Sequence, residues 1–494
     1  MAHPIVWLTI LGPLALAATG SGLAAPRTLA AARLASLLAL AMAVLAAVAT
    51  AVAGPQRIML PGFGIVLDAL SATMFLLVAF VGAIVIGFTR HYLDGDPGQD
   101  RFVRLLCLTL ASVLTLIVSA HFVQFAFAWI ATSAGLQRLL LFYPERPAAR
   151  LAARKKFLVS RLGDACLIAA FVLLYRASGS AAIPAANGLA SFAPALLLVC
   201  AGMLKSAQFP MHGWLIEVME TPTPVSALLH AGLINAGGFL VLRFADVIAP
   251  QSTALDLLVV IGGISAMFGS LVMLTQTSVK VALAYSTIAQ MGFMMFECGL
   301  GAYSAALLHI VAHSLYKAHA FLSSGSVIDI ARGSWQVEKT GASRPGPVAL
   351  VAGAVAAVCL WFGQPLVCVM LLGLVHLVAN GIDRRPNSDV IARVVLAATL
   401  VAVLSVALQF GAWRFLAGAL PPHPGPMGGV GEVAAWIMVL GFAALTVFQS
   451  ALPRHATEPR WQALYALVAN GFYVNTLANR FVLRLWPGGR RRVS

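Results

Sequence analysis

Residues 195–231 read ALLLVCAGMLKSAQFPMHGWLIEVMETPTPVSALLHA. An apolar run reaches Lys205, the chain then meets Pro210, and a short segment carrying Glu217 and Glu220 precedes Pro222 and Pro224. A proline removes a backbone donor and clashes with the preceding turn, so an apolar helix is predicted to stop here and another to begin beyond Pro224. In lipid a freed backbone group finds no water, so such a break needs polar neighbours or a hydrated cavity. The stretch reads as a discontinuous membrane helix with a lysine at its break. Two roles for Lys205 stay open on local sequence: an amine that exchanges protons, or an anchor that snorkels to the interface.

The rest of the chain agrees with a membrane setting. Of 494 residues, 60% are hydrophobic and 10% charged, whereas soluble domains run about 45–50% apolar and about 25% charged. That balance excludes a soluble enzyme or a nucleic-acid binder despite a formal charge of +15. Apolar runs long enough to cross about 30 Å of hydrocarbon are predicted at 5–24, 29–53, 64–89, 103–119, 121–143, 157–176, 190–209, 222–247, 255–275, 279–300, 302–328, 346–361, 364–382, 389–410 and 430–451. They show no dyad alternation, so the expected fold is an all-α polytopic protein of about 13–15 transmembrane helices. The start lacks a basic region and reads as an uncleaved span rather than a signal peptide. The most basic loop, PERPAARLAARKK at 144–156, is expected in the cytoplasm, which places the N-terminus outside and the C-terminus inside. The tail 458–494 reads as an amphipathic helix on the cytoplasmic surface, against lipid headgroups or a partner. Neither a P-loop nor a strand-borne GxGxxG occurs, so no ATPase is expected within the chain. All six cysteines sit in apolar runs without a CxxC pair, as small core residues do.

Ionisable residues inside the spans carry the functional signal, because each costs about 2.5–3.5 kcal/mol on insertion scales. His309, His313 and Lys317 in LLHIVAHSLYKAHAFLSS recur every four residues, which stacks them on one helix face. Such a file suits a proton relay; polar packing is the plainer reading, and HxxxH metal binding lacks a third ligand nearby. His230, in LLHAGLINAGGF, is a hydrogen-bonded core histidine or a relay member, with Gly237 and Gly238 permitting close helix approach. Asp164 lies one turn past Arg161, either as a local ion pair or as a carboxylate serving Lys205. Lys280 and Asp68 lie near helix starts, where anchoring competes with function.

The stretches GIVLDALSATM, KSAQFPMHGWLIEVMETPTPVSALLHA, QTSVKVALAYSTIAQMGFM and HIVAHSLYKAHAFLSSGSVI resemble the proton-translocating antiporter-like family shared by respiratory complex I and multisubunit cation/proton antiporters. The resemblance covers about residues 60–330 and implies an antiporter-like bundle with two inverted five-helix repeats, each with a broken helix. The implied organisation is N-terminal helices over 1–120, a first repeat over 121–250, a second, reduced repeat over 251–410, and a last helix with its tail over 411–494. It further implies proton-translocation roles for Lys205, Asp164, His230, Lys280, His309, His313 and Lys317, with Asp68, Glu217, Glu220 and His376 as auxiliary candidates. Neither a catalytic residue nor a metal or cofactor is implied for this chain. Two positions depart from the family pattern. The glutamate that follows the tryptophan of the fifth helix is here Ile130, and residues 346–382 hold no Lys, Arg, Asp or Glu.

Within the family the chain most resembles the membrane subunits of inorganic-carbon pumps. That likeness implies a bacterial inner-membrane subunit coupling cation flow, as protons or sodium, to CO2/bicarbonate accumulation. The partner would be a soluble, zinc-containing, carbonic-anhydrase-like subunit of the DabA type, which would carry the catalysis. A cation/proton antiporter, a complex I-type pumping subunit, and a passive membrane anchor for the partner are the alternatives.

Overall fold

The computed structural model describes residues 5–22, 27–325, 371–373, 388–421, 429–455 and 458–486. The spans expected at 346–361 and 364–382, with His376, lie outside the described residues, and nothing is described of the Glu220 side chain. Among the described residues nine helices are long and apolar enough to cross a membrane, and two shorter apolar helices join them. The all-α polytopic expectation holds.

The single span expected over 5–24 is two helices, α1 (Ile5–Leu8) and α2 (Leu11–Gly20). Pro13 explains the interruption, because its ring cannot accommodate the carbonyl of Thr9 in a continuous helix. α3 (Thr28–Ala53) follows. Next comes an element the sequence reading missed, a hairpin of β1 (Gln56–Leu60) and β2 (Phe63–Leu67). Its register pairs Leu60 with Phe63 around Pro61–Gly62, and Gly62 supplies the positive φ of 75° that the tight turn requires. The span expected from residue 64 therefore starts later, as α4 (Ala69–Tyr92), with Asp68 as its N-cap.

α5 (Gln99–Val118), α6 (Phe122–Leu140) and α7 (Pro147–Ser178) come next. α7 begins with a proline at its first position, where the missing donor costs nothing. The basic stretch 144–156 is thus not the free loop its charge suggested. From residue 147 it is helix, and Lys155 and Lys156 are each only 4% exposed.

The first break is as expected but earlier. α8 (Phe192–Lys205) stops at Lys205 and not at residue 209, because Ala207 takes a left-handed backbone with φ of 51°. Short α9 (Gly213–Glu217) follows. The span expected over 222–247 is itself broken, into α10 (Thr223–Ala231) and α11 (Ala236–Arg243), with a 3-10 turn at Leu233–Asn235 between them. α12 (Ala245–Ile248), α13 (Ser252–Met273), α14 (Val279–Gly299) and α15 (Tyr303–Leu322) complete this part. α16 (Ser388–Leu416) exposes Leu400, Leu404 and Phe410 by more than half, as a lipid-facing helix does. α17 (Gly429–His455) packs on α13. The tail is two helices, α18 (Pro459–Ala469) and α19 (Val474–Leu485), joined by left-handed Phe472 and Tyr473.

The chain alternates between two ends. At one, the hairpin meets the turns near residues 120 and 182: Ala120 N donates to Gly64 O and Ile183 N to Ala120 O. At the other, Tyr143 reaches Asp96, and Lys280 and Tyr92 both reach Thr223. Small residues let the breaks approach: a methyl on Gly237 would collide with Gly202 O and Ser206 Oγ, and one on Gly238 with Met294. The expectation for that glycine pair is met.

Candidate functional site

Lys205 closes α8 inside the bundle. Its Nζ donates to Ser133 Oγ at 2.7 Å and to Trp129 O at 3.4 Å, and lies 4.3 Å from the centroid of the Trp129 ring. α6 presents both partners one turn apart. Ile130 is partly buried against the core, and a π face and a hydroxyl serve Lys205 where the family pattern has a carboxylate. Lys156 of α7 comes to the same serine, donating to Ser133 O at 2.6 Å. The two lysines, Ser133, Thr132 and Ser160 line a small cavity of about 10 Å³, enough for a single water. Asp164 pairs with Arg161 Nη2 at 2.6 Å and lies within electrostatic reach of Lys205 and Lys156. Lys155 pairs with Glu217 at 2.6 Å.

A second group lies across α10, α14 and α15. His230 Nδ1 is 2.9 Å from Thr287 Oγ1, and the Thr287 hydroxyl donates to Leu283 O at 3.0 Å. That orientation leaves Thr287 Oγ1 to accept, so Nδ1 carries the proton of a neutral His230 and Nε2 is bare. Lys317 Nζ donates to the same Leu283 carbonyl at 3.0 Å. His230 and Lys317 are thereby joined through one threonine and one backbone oxygen. Lys317 is 0% exposed. Asn235, in the turn that breaks the helix, donates to Ser314 Oγ at 2.7 Å. His313 lies within electrostatic reach of His230, His309 and Lys317. The His313 ring also lies against the His230 backbone, and His230 Nε2 has no protein partner among the described residues.

His309 ends this file. Its Nδ1 is 3.0 Å from Glu297 Oε2 and its Nε2 2.7 Å from Gln290 Oε1. Both ring nitrogens therefore face side-chain oxygens from α14. The rings of His309 and His313 are 6.4 Å apart.

Lys280 lies at the start of α14, where the sequence reading had put it, at one end of the bundle. It donates to Thr223 Oγ1 at 3.1 Å beside a polar cleft of about 410 Å³ that Tyr92, Asp94, Asp96, Tyr143 and Arg146 also line. In that cleft the Tyr143 hydroxyl donates to Asp96 at 2.7 Å and, with the Gly98 amide, holds its carboxyl below the usual value. Asp68 serves structure: it caps α4 in a reciprocal pair with Ser71 and forms a bidentate ion pair with Arg243 at 2.6 and 3.2 Å.

Sequence reasoning missed Glu297, Lys155, Lys156 and Ser133. Glu297 was legible as a lone carboxylate in the apolar run MGFMMFECGL, whereas nothing local marks Ser133. Among the described residues no group of three His, Cys, Asp or Glu is placed to hold a metal.

Comparison with known proteins adds the following. Residues 119–407 match the family described as NADH:quinone oxidoreductase/Mrp antiporter, TM, and residues 60–103 match complex I, chain 5 N-terminus. A probable inorganic carbon transporter subunit DabB2 of Halothiobacillus neapolitanus is 38% identical, over 92% of this chain and 88% of that protein. A probable inorganic carbon transporter subunit DabB of Hydrogenovibrio crunogenus is 37% identical, over 85% and 82%. In fold, the Mrp complex from Dietzia matches with a TM-score of 0.59 at 21% identity, covering 98% of this chain and 57% of that chain.

Proposed function

Because the chain belongs to the membrane-subunit family shared by NADH:quinone oxidoreductase and Mrp antiporters, on the branch of the DabB subunits, we propose that it conducts protons to drive inorganic-carbon accumulation. Its partner in this reading is a soluble, zinc-containing, carbonic-anhydrase-like subunit of the DabA type, which hydrates CO2. This chain supplies the ion path and carries no metal. The complex sits in the bacterial inner membrane, with the end that bears Arg90, Arg101 and the basic 144–156 stretch in the cytoplasm.

The observation that carries the reading is the burial together of His230, His313 and Lys317, with the His309–Glu297 pair beside them. Imidazoles beside an amine and a carboxylate are groups that can take up and release a proton inside a membrane. Lys205, with Lys156 and a water-sized cavity, forms a second such station. A bare anchor has no use for these groups, each of which opposes insertion.

The passive-anchor reading draws on one observation, the absence of a carboxylate within hydrogen-bond distance of Lys205 among the described residues. One experiment separates the two. Cells lacking carbonic anhydrase express the chain with its partner, and radiolabelled inorganic-carbon uptake is followed with and without a protonophore. Uptake that collapses with the protonophore supports conduction. Uptake indifferent to it, from an assembled complex, refutes it.

A further inference from the structure

The C-terminal helix touches the broken-helix region through one polar side chain. Asn475 Oδ1 accepts from Lys155 Nζ at 2.6 Å, and Asn475 Nδ2 donates to Glu217 Oε1 at 3.2 Å. Lys155 and Glu217 are themselves 2.6 Å apart, so three side chains from α7, α9 and α19 close a ring. The chemistry selects an amide, whose oxygen faces an ammonium and whose nitrogen faces a carboxylate. An aspartate would turn a second negative charge on Glu217, and an apolar residue would satisfy neither group. The fit is close: a methyl on Gly213, at the start of α9, would overlap Asn475 Oδ1. α19 is fixed at its far end as well. Arg154 Nη1 donates to Trp486 O at 3.0 Å, and the Phe157 ring meets that of Trp486 edge-on. Both attachments fall on the α7 segment that continues into Lys156, which shares Ser133 with Lys205.

We propose that Asn475 is a positioning residue for the lysine station: by holding Lys155 and Glu217 together it fixes the 206–217 connection, and with it the point where α8 ends at Lys205. The amphipathic tail is then a clamp on the ion path as well as a surface helix. This rests on the reading that Lys205 takes part in conduction.

The test uses the full chain assembled with its partner and compares wild type with Asn475→Leu, Asn475→Asp and the control Leu477→Ala, a neighbouring side chain that is 63% exposed. Backbone hydrogen exchange over residues 206–220 in the purified complex needs no transport. It should rise about tenfold or more in Asn475→Leu, the equivalent of one hydrogen bond to a charged group. In the same variant the maximal uptake rate should fall several-fold, while the carbon concentration giving half-maximal uptake stays unchanged. Leu477→Ala should match wild type in both. If the leucine variant fails to assemble, Asn475→Asp, which keeps the oxygen on Lys155 and loses the donor to Glu217, decides by the same readouts. Unchanged exchange overturns the proposal, and so does raised exchange with a wild-type uptake rate. Failure of conduction itself would instead appear as protonophore-insensitive uptake in wild type.

Discussion

Replacing Lys205 by methionine, an apolar side chain of similar length, separates stability from function. Inserting the ammonium costs about 2.5–3.5 kcal/mol. Against that stand a hydrogen bond to Ser133 Oγ at 2.7 Å, a charged contact of about 1.5–3 kcal/mol, and the Trp129 ring at 4.3 Å, a desolvated cation–π contact of about 2 kcal/mol. These nearly cancel, so Lys205→Met should change the stability of the complex by no more than about 1–2 kcal/mol. Carbon uptake should nevertheless fall to the level of cells without the chain, because methionine binds no proton. The assay pairs radiolabelled uptake with partner co-purification and a thermal unfolding midpoint of the purified complex. Wild-type, protonophore-sensitive uptake in the variant would refute a conducting role. A loss of stability above about 3 kcal/mol, the range for breaking a buried ion pair, would mark Lys205 as a structural residue.

Other perturbations follow from the same geometry. Glu297→Gln leaves His309 Nδ1 a neutral partner in place of a carboxylate, and protonophore-sensitive uptake should drop several-fold with the complex assembled; an unchanged rate would reduce the pair to packing. Arg243→Met strands the Asp68 carboxylate, so it should destabilise the complex by about 3–5 kcal/mol. Adding Asp68→Asn should recover part of that loss, measurable as a double-mutant cycle on the unfolding midpoint. Asp96 has a folded pKa held below 3.8, first by the Tyr143 hydroxyl. Its contribution to stability is therefore present above the unfolded value and lost as pH falls through the lowered folded one. The midpoint difference between wild type and Asp96→Asn should be widest near neutral pH and close below pH 3.8. A Gly292→Val change puts a side chain where a Cβ alone would lie 2.7 Å from Gly262 O; it should separate α13 from α14 and lower the yield of assembled complex.

The sequence carried much of the fold because membrane insertion is decided locally. A run such as 252–273 of apolar residues must become helix in lipid whatever its neighbours do, and Pro210 must interrupt one. The four-residue spacing of His309, His313 and Lys317 likewise put them on one face before any contact was known. Boundaries set by weaker forces were not legible. The 56–67 hairpin has an apolar second strand that blends into the next span, and the break at Gly232 falls inside one largely apolar run. Charge misled at 144–156, since a lysine looks solvated until a partner appears, and Glu217, Asn475 and Ser133 lie far away in sequence.

The same division runs through the site. Sequence alone determined that amines and imidazoles are buried in this membrane protein, because residue type and hydropathy are one-dimensional properties. Only the tertiary structure decided which of them act together. It brought His230 and Lys317 to neighbouring groups of a third helix, gave Glu297 to His309, and set Lys156 beside Lys205 at Ser133. Hydrogen bonds act over about 3 Å, a distance that helix packing sets and residue spacing along the chain does not encode.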